Sequence, residues 1–125
     1  MQETGHKSFA RPDEVREFPL GRAEIVKLGG GEVGLYTVQP GWRWSEHIRP
    51  LAGTDLCEAP HFQYHVAGTL RVRMADGSEF DVGPGEVSIL APGHDAWVVG
   101  DEPVQVVDWG GAHVWARAEA EAAVA

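Results

Sequence analysis

The sequence predicts an all-β protein, a sandwich or barrel of about eight or nine short strands in one domain. Short segments rich in β-branched and aromatic residues recur along the chain, and only one weak helical segment accompanies them. The 16 glycines and eight prolines are spread between these segments, where turns between strands require them. A chain of 125 residues is long enough for one hydrophobic core and too short for two.

Three strands are predicted in the first part of the chain. Residues 1–14 are polar and aperiodic, which is typical of a flexible N-terminal arm. Residues 23–28 and 33–39 have the composition of strands, and a run of glycines separates them. In residues 42–48, tryptophans at every second position alternate with polar side chains, which predicts a third strand with one packed side.

The central stretch, residues 60–97, predicts four consecutive strands. Their ends are marked by turn residues at Gly68, Asp76-Gly77, Gly83-Pro84-Gly85 and Pro92-Gly93. The preceding residues 49–60 hold two prolines and a glycine without any hydrophobic period, so they predict a loop. A loop of this length is a candidate for a functional segment.

The end of the chain predicts one more strand and a short helix. Residues 103–109 have strand composition, and residues 113–125 are rich in alanine and glutamate, as short helices often are. We therefore expect a flexible arm in residues 1–14, a β-barrel in 15–111 and a tail or short helix in 112–125.

Composition and charge exclude several classes of function. The formal net charge of −9 disfavours nucleic acid and anionic membrane surfaces, because both would repel the chain. Cys57 is the single cysteine, so no internal disulfide can form and a reducing compartment is indicated. The first residues lack the apolar core of a signal peptide, and no apolar run has the length of a membrane span. We expect a cytoplasmic protein.

The strand that begins near residue 61 has an unusual polar face. His61, Gln63 and His65 stand at alternate positions, so their side chains leave the same face of the strand. Aromatic and β-branched residues occupy the positions between them and leave the other face. Imidazole and amide groups would therefore line one side of this strand, which makes it the first candidate for a site.

Residues 41–68 resemble the first motif of the cupin family, G-x5-H-x-H-x3,4-E-x6-G. Gly41 is followed after five residues by His47, and Arg49 stands where the family has its second histidine. Gly68 closes the motif and places His61 at the glutamate position. The spacer between Arg49 and His61 is longer than in the family motif.

Residues 85–96 resemble the second cupin motif, G-x5-P-x-G-x2-H-x3-N. Gly85 and Pro92-Gly93 carry this likeness, Ala96 falls at the position of the motif's histidine, and His94 lies two residues earlier on the same strand face. The resemblance, which covers roughly residues 20–110, implies a double-stranded β-helix, or jelly-roll barrel. It also implies a homodimer, since cupins commonly pair through sheet edges and N-terminal strands.

The histidines make a divalent metal the first hypothesis. The resemblance implies His47 as a ligand, with His61 as a substitute that can still coordinate, and His94 or His65 would be the third ligand. Neutral imidazole suits Zn, Fe, Ni, Mn or Cu, and three nitrogens leave coordination positions open for water or substrate. The protein would then act on a small organic molecule through a reaction that the sequence leaves open.

Four further residues are candidates for binding the small-molecule ligand. Arg49 would pair with a substrate carboxylate, because a guanidinium binds carboxylates bidentately and cannot bind a metal cation. Gln63 would orient the ligand by hydrogen bonds, and Tyr64 or Trp97 would stack on a planar ligand at the barrel mouth.

Two alternatives remain open at this point. In the first, the histidines and Gln63 are polar liners of a metal-free cupin that binds a small ligand as a sensor or carrier. In the second, the barrel is filled with side chains and serves as an interaction module. Cys57, four residues before His61, would be a thiolate ligand in a metal site, although a loop thiol without a neighbouring Lys or Arg is more often unreactive.

Overall fold

Nine β-strands and two short helices are present in the computed structural model, which describes residues 4–110 and 115–116. The strands are β1 (Glu14–Phe18), β2 (Gly21–Leu28), β3 (Gly31–Val38), β4 (His61–Ala67), β5 (Thr69–Met74), β6 (Glu79–Val82), β7 (Val87–Leu90), β8 (His94–Val99) and β9 (Val104–Asp108). The helices α1 (Trp44–His47) and α2 (Arg49–Ala52) lie between β3 and β4.

The strands form two antiparallel sheets that share one core. The larger sheet has six strands in the order β1-β2-β3-β9-β4-β7, and the smaller has three in the order β6-β5-β8. One hydrophobic cluster takes residues from both sheets, including Ile25 and Val104 from the larger and Val72 from the smaller. The all-β prediction is confirmed, and the four strands predicted between residue 60 and Pro92-Gly93 correspond to β4, β5, β6 and β7. Strand β8 begins directly after this turn.

Strand β4 buries its polar face and exposes its apolar one. His61, Gln63 and His65 are 5%, 3% and 0% exposed, whereas Phe62 and Tyr64 are about half exposed. Side chains alternate between the two faces of a strand, so these three polar side chains must all point inward or all point outward. The inner face of the larger sheet therefore carries a row of hydrogen-bonding side chains.

The prediction of a strand over residues 42–48 is wrong, because this segment contains α1. Trp44 and Ile48 are four residues apart, so they lie on one face of a helix, and both are almost fully buried at 2% and 1% exposure. Burial of this pair outweighs the alternation of period two that the tryptophans suggest. Helix α2 then follows within the predicted loop, with Pro50 in its first turn and Gly53 as its left-handed C-cap.

The two ends of the chain differ in how far the structure describes them. Residues 4–13 contain no helix or strand, and the Asp13 carboxylate accepts hydrogen bonds from the backbone N–H of Lys27 and the side chain of Lys7. The helix expected over residues 113–125 lies outside the described residues except for 115–116. Trp115 is buried and stacks on Tyr36 with ring centroids 4.1 Å apart. None of the helices in the described part of the chain is long and apolar enough to cross a membrane.

The outer face of β4 and its neighbour β7 is apolar and exposed. Phe62, Tyr64, Val87 and Ile89 lie there, with Ile89 77% exposed, and β7 is one of the two edge strands of the larger sheet. The expected homodimer stays a prediction.

Gly68 has a conformation and surroundings that only glycine fits, which generates a test of the fold. Its φ is +73°, and a Cβ there would collide with the carbonyl oxygen of Pro103. We expect Gly68→Ala to lower the free energy of unfolding by about 3 kcal/mol, from left-handed strain plus the collision. Urea denaturation measures the loss. The matched control is Gly77→Ala, at φ +89° with open space around it, and an equal loss in both variants would contradict the collision.

Candidate metal centre

Three buried side chains bring metal-ligating atoms together at one end of the barrel. Cys57, His61 and His94 each contribute one ligand atom, and these three atoms lie within 4.8 Å of one another. The exposed fractions of these residues are only 2%, 5% and 2%. Within residues 4–110 and 115–116, this is the single place where three or more such donors converge. We call these three residues the Cys-His-His cluster.

The fold positions each member of the cluster through its backbone. His61 is the first residue of β4 in the larger sheet, and His94 is the first residue of β8 in the smaller one. Cys57 lies in the segment that precedes β4 and forms an antiparallel bridge with His94. In this bridge the Cys57 N–H donates to the His94 carbonyl at 2.7 Å, and the Gly93 N–H donates to the Cys57 carbonyl at 2.7 Å. The cluster therefore joins the two sheets.

A fully buried carboxylate, Asp108, orients the His61 ring. Its Oδ2 lies 2.6 Å from His61 Nδ1 and also accepts a hydrogen bond of 2.7 Å from the Tyr36 hydroxyl. Its Oδ1 accepts from the backbone N–H groups of Phe62 and Gly110 at 3.2 and 3.0 Å. Because the carboxylate accepts a hydrogen bond from Nδ1–H, the proton of the His61 ring stays on Nδ1 and the lone pair is on Nε2.

The Nε2 atom of each histidine carries the lone pair that a metal ion would bind. His61 Nε2 lies 3.6 Å from the Cys57 sulfur. His94 Nδ1 donates to the carbonyl of Ala91 at 2.8 Å, so its Nε2 carries the lone pair. The two imidazole rings meet edge to face, with centroids 5.2 Å apart.

The separation of sulfur and nitrogen fits tetrahedral coordination. With Zn–S near 2.3 Å and Zn–N near 2.05 Å, a tetrahedral angle places the two donor atoms about 3.6 Å apart. The distance between Cys57 Sγ and His61 Nε2 is 3.6 Å. The residues present therefore fit a metal ion with two of its ligands already at the required spacing, and a fourth position would be left for water or substrate.

Burial keeps the Cys57 thiol and the His94 ring uncharged at neutral pH. Burial raises the pKa of the Cys57 thiol to about 12, although hydrogen bonds involving the Ala59 backbone and the Trp115 side chain act in the opposite direction. Burial lowers the pKa of His94 to about 4, against the effect of its hydrogen bond to Ala91. At neutral pH the cluster thus presents a neutral thiol and a neutral His94, and a cation would displace the thiol proton.

The structure brings together two of the four histidines predicted as ligands, His61 and His94. His47 lies at the end of α1, half-buried, with Nδ1 3.0 and 3.1 Å from the backbone nitrogen and oxygen of Arg43. His65 is fully buried further along β4, with Nε2 2.8 Å from the Ser88 hydroxyl. Both therefore lie outside the Cys-His-His cluster.

The residues predicted to bind substrate are spread over different surroundings. Arg49, the first residue of α2, is half exposed and forms an ion pair of 3.0 Å with Asp55, which follows the helix. Gln63 is buried in the barrel, whereas Tyr64 points to the outer face. Trp97 is half-buried, and an arginine guanidinium lies over its ring. Their roles in binding stay predictions.

Sequence reasoning missed Asp108 and gave Cys57 little weight. Asp108 ends a strand in which Val104 and Val106 are buried at alternate positions, so its carboxylate occupies an inward position. An acidic residue in the buried phase of an apolar strand is the signal that could have found it. Cys57 gave a signal too, in its spacing from His61, but the sequence could not show that His94 lies beside both.

Comparisons with known proteins identify structures with a similar fold. No protein-family model matches the sequence, and no curated protein matches it significantly. Oxalate decarboxylase from Bacillus subtilis is similar in structure with a TM-score of 0.57, at 24% identity over 79% of this chain and 28% of that one. The chain thus spans about a quarter of the length of that enzyme.

Two smaller proteins of unknown function match along most of their own length. A DUF1255 protein from Acinetobacter sp. ADP1 has a TM-score of 0.54 at 16% identity, over 80% of this chain and 97% of that one. A domain from Vibrio parahaemolyticus has a TM-score of 0.53 at 15% identity, over 72% of this chain and 87% of that one. With the two antiparallel sheets described above, these likenesses confirm the predicted architecture: the chain has a cupin-like jelly-roll fold.

Proposed function

We propose that this protein is a metal-binding cupin that holds a divalent transition metal at Cys57, His61 and His94 and acts on a small organic molecule. The observation that carries the proposal is the convergence of three buried donor atoms within 4.8 Å. A chance grouping of polar side chains seldom places a thiol and two imidazoles in a desolvated interior, because each must find a partner there.

The surroundings of the cluster support a metal rather than a purely structural role. Asp108 holds the His61 ring in the tautomer that presents Nε2, and such carboxylate–histidine pairs are the usual outer partners of metal ligands. The Bacillus subtilis oxalate decarboxylase, whose fold this chain resembles, contains Mn(II) centres. A bound metal would supply a Lewis acid or an oxygen-activating centre. Cys57, His61 and His94 would hold it, and Asp108 would orient the His61 ring.

A groove beside the cluster supports a small organic molecule as the ligand. It has a volume of about 450 Å³ and is lined mainly by apolar side chains, among them Phe62, Ile89 and Leu90, together with His61. An apolar groove lined by a few polar groups is the usual form of a small-molecule site.

The second candidate is a metal-free cupin that binds a small ligand as a sensor or carrier. It is favoured by the chain of hydrogen bonds that links Tyr36, Asp108, His61 and Cys57. In this case the cluster would be a satisfied polar interior rather than a set of metal ligands.

Metal content decides between these two functions. We expect protein produced without a histidine tag in metal-replete medium to contain about one transition metal ion per chain by elemental analysis. His61→Ala and His94→Ala should each remove most of it, because each deletes a ligand. The control is His47→Gln, which changes a histidine outside the cluster and should keep the metal. Clean absence of metal from the unaltered chain would leave the metal-free function, and loss in the control would return His47 to the ligand set.

The Asp108 carboxylate provides a second prediction. We expect Asp108→Asn to weaken metal binding by about 10- to 100-fold, since it disturbs the partner that orients His61 without deleting a ligand. Competition against a chelator of known affinity measures the change. Asp95→Asn is the matched control, because Asp95 is also buried but bonds to the Ser45 backbone and Arg43. Equal effects of the two substitutions would argue against an orienting role for Asp108.

A further inference from the structure

The Cys-His-His cluster, taken as the metal site, contains no oxygen ligand. Its donors are one sulfur and two imidazole nitrogens. Thiolate and imidazole favour zinc and similar borderline or soft ions, whereas manganese and magnesium prefer carboxylate, carbonyl and water oxygens. The donor set therefore differs in kind from one that would select manganese.

The Asp108 carboxylate, which contacts His61, cannot easily supply an oxygen ligand. Asp108 Oδ2 is already shared between His61 Nδ1 and the Tyr36 hydroxyl, and Oδ1 accepts two backbone N–H groups. Turning this carboxylate toward a metal would break these hydrogen bonds within a fully buried environment, which is costly. Asp108 therefore acts through His61 and leaves Cys57 as the third ligand.

The position of the thiol is built into the fold. The antiparallel bridge between Cys57 and His94 fixes the backbone of both residues, because the Cys57 N–H donates to the His94 carbonyl at 2.7 Å and the Cys57 carbonyl accepts from the Gly93 and His94 N–H groups at 2.7 and 3.3 Å. The Cys57 sulfur lies 3.6 Å from His61 Nε2, the separation that tetrahedral zinc requires. An octahedral ion would need three further ligands in a place where Cys57 is only 2% exposed.

We propose that Cys57 is the residue that sets the metal preference of this site, making it a zinc-type centre that excludes manganese. The inference rests on the function proposed above and goes further by assigning the class of ion. On binding, the S–H bond of Cys57 breaks, its proton passes to solvent, and the sulfur forms a bond to the metal without any change of oxidation state.

The test uses the metal-free full-length chain and the probes Co²⁺, Zn²⁺ and Mn²⁺ supplied alone. Cobalt shows the donor directly, since a thiolate ligand produces a charge-transfer absorption in the near ultraviolet. The chain has a single cysteine, so such a band can arise only from Cys57. We expect the band to appear with one equivalent of Co²⁺ and to disappear when Zn²⁺ is added. Mn²⁺ in about 100-fold excess should not displace cobalt.

Two variants separate the contribution of sulfur from that of the fold. Cys57→Ser should abolish the charge-transfer band, and Cys57→Asp should reduce the preference for Zn²⁺ over Mn²⁺ by tenfold or more, as about 1.4 kcal/mol of differential binding would. Circular dichroism checks that both variants fold. Even if neither variant folds, the presence or absence of the cobalt band in the unaltered chain still decides whether Cys57 is a ligand.

The outcomes also separate this inference from the function on which it rests. Cobalt binding without a thiolate band would overturn the role of Cys57 and leave a histidine metal site standing. Equal competition by Mn²⁺ and Zn²⁺ would overturn the metal preference alone. If none of the three ions binds, both the inference and the proposed metal-binding function fall.

Discussion

The hydrogen bond between the Asp108 carboxylate and the His61 imidazole is the interaction around which the interior of this barrel is arranged. At 2.6 Å it joins β9 to β4 inside the larger sheet, and both residues are almost completely removed from water. Burying a carboxylate without partners would cost on the order of several kcal/mol, so the Tyr36 hydroxyl and two backbone N–H groups are drawn to it. The same bond determines which nitrogen of His61 faces the cluster.

A barrel that holds such groups gives up part of its hydrophobic core. His61, Gln63 and His65 occupy three successive inward positions of β4, where aliphatic residues would stabilise the sheet more. The aromatic side chains of Tyr36, Trp42 and Trp115 pack around one end of this row and exclude water from it. Such an arrangement is typical of a site in which water exclusion strengthens each electrostatic contact.

Function in this fold depends on side chains carried by the barrel rather than on the barrel itself. The likeness to oxalate decarboxylase, at 24% identity and about a quarter of that enzyme's length, concerns architecture. The chain has Arg49 and Ala96 where the cupin motifs carry histidines, and its converging donors come from a loop cysteine and the first residues of two strands. A metal centre in this protein would therefore be built differently from the one that the motifs describe.

Much of the strand pattern followed from local sequence. Alternation predicted which residues of β4 share a face, and turn residues such as Gly68 marked where strands end, because both depend on neighbours along the chain. The segment 42–48 was predicted incorrectly because its apolar residues fit two periods. Trp42 and Trp44 are two residues apart, as on one face of a strand, and Trp44 and Ile48 are four apart, as on one face of a helix. The packing of both side chains against the core decided between the two.

The sequence by itself determined an all-β chain with a buried polar face on one strand. It also identified both histidines of the cluster, His61 and His94. Only the tertiary structure decided that Cys57 lies beside His61 and His94, and that Asp108 supports them. The physical reason is that strand pairing brings together residues far apart in sequence. Local periodicity says which way a side chain points, but the partner it meets depends on the order of strands in the sheets.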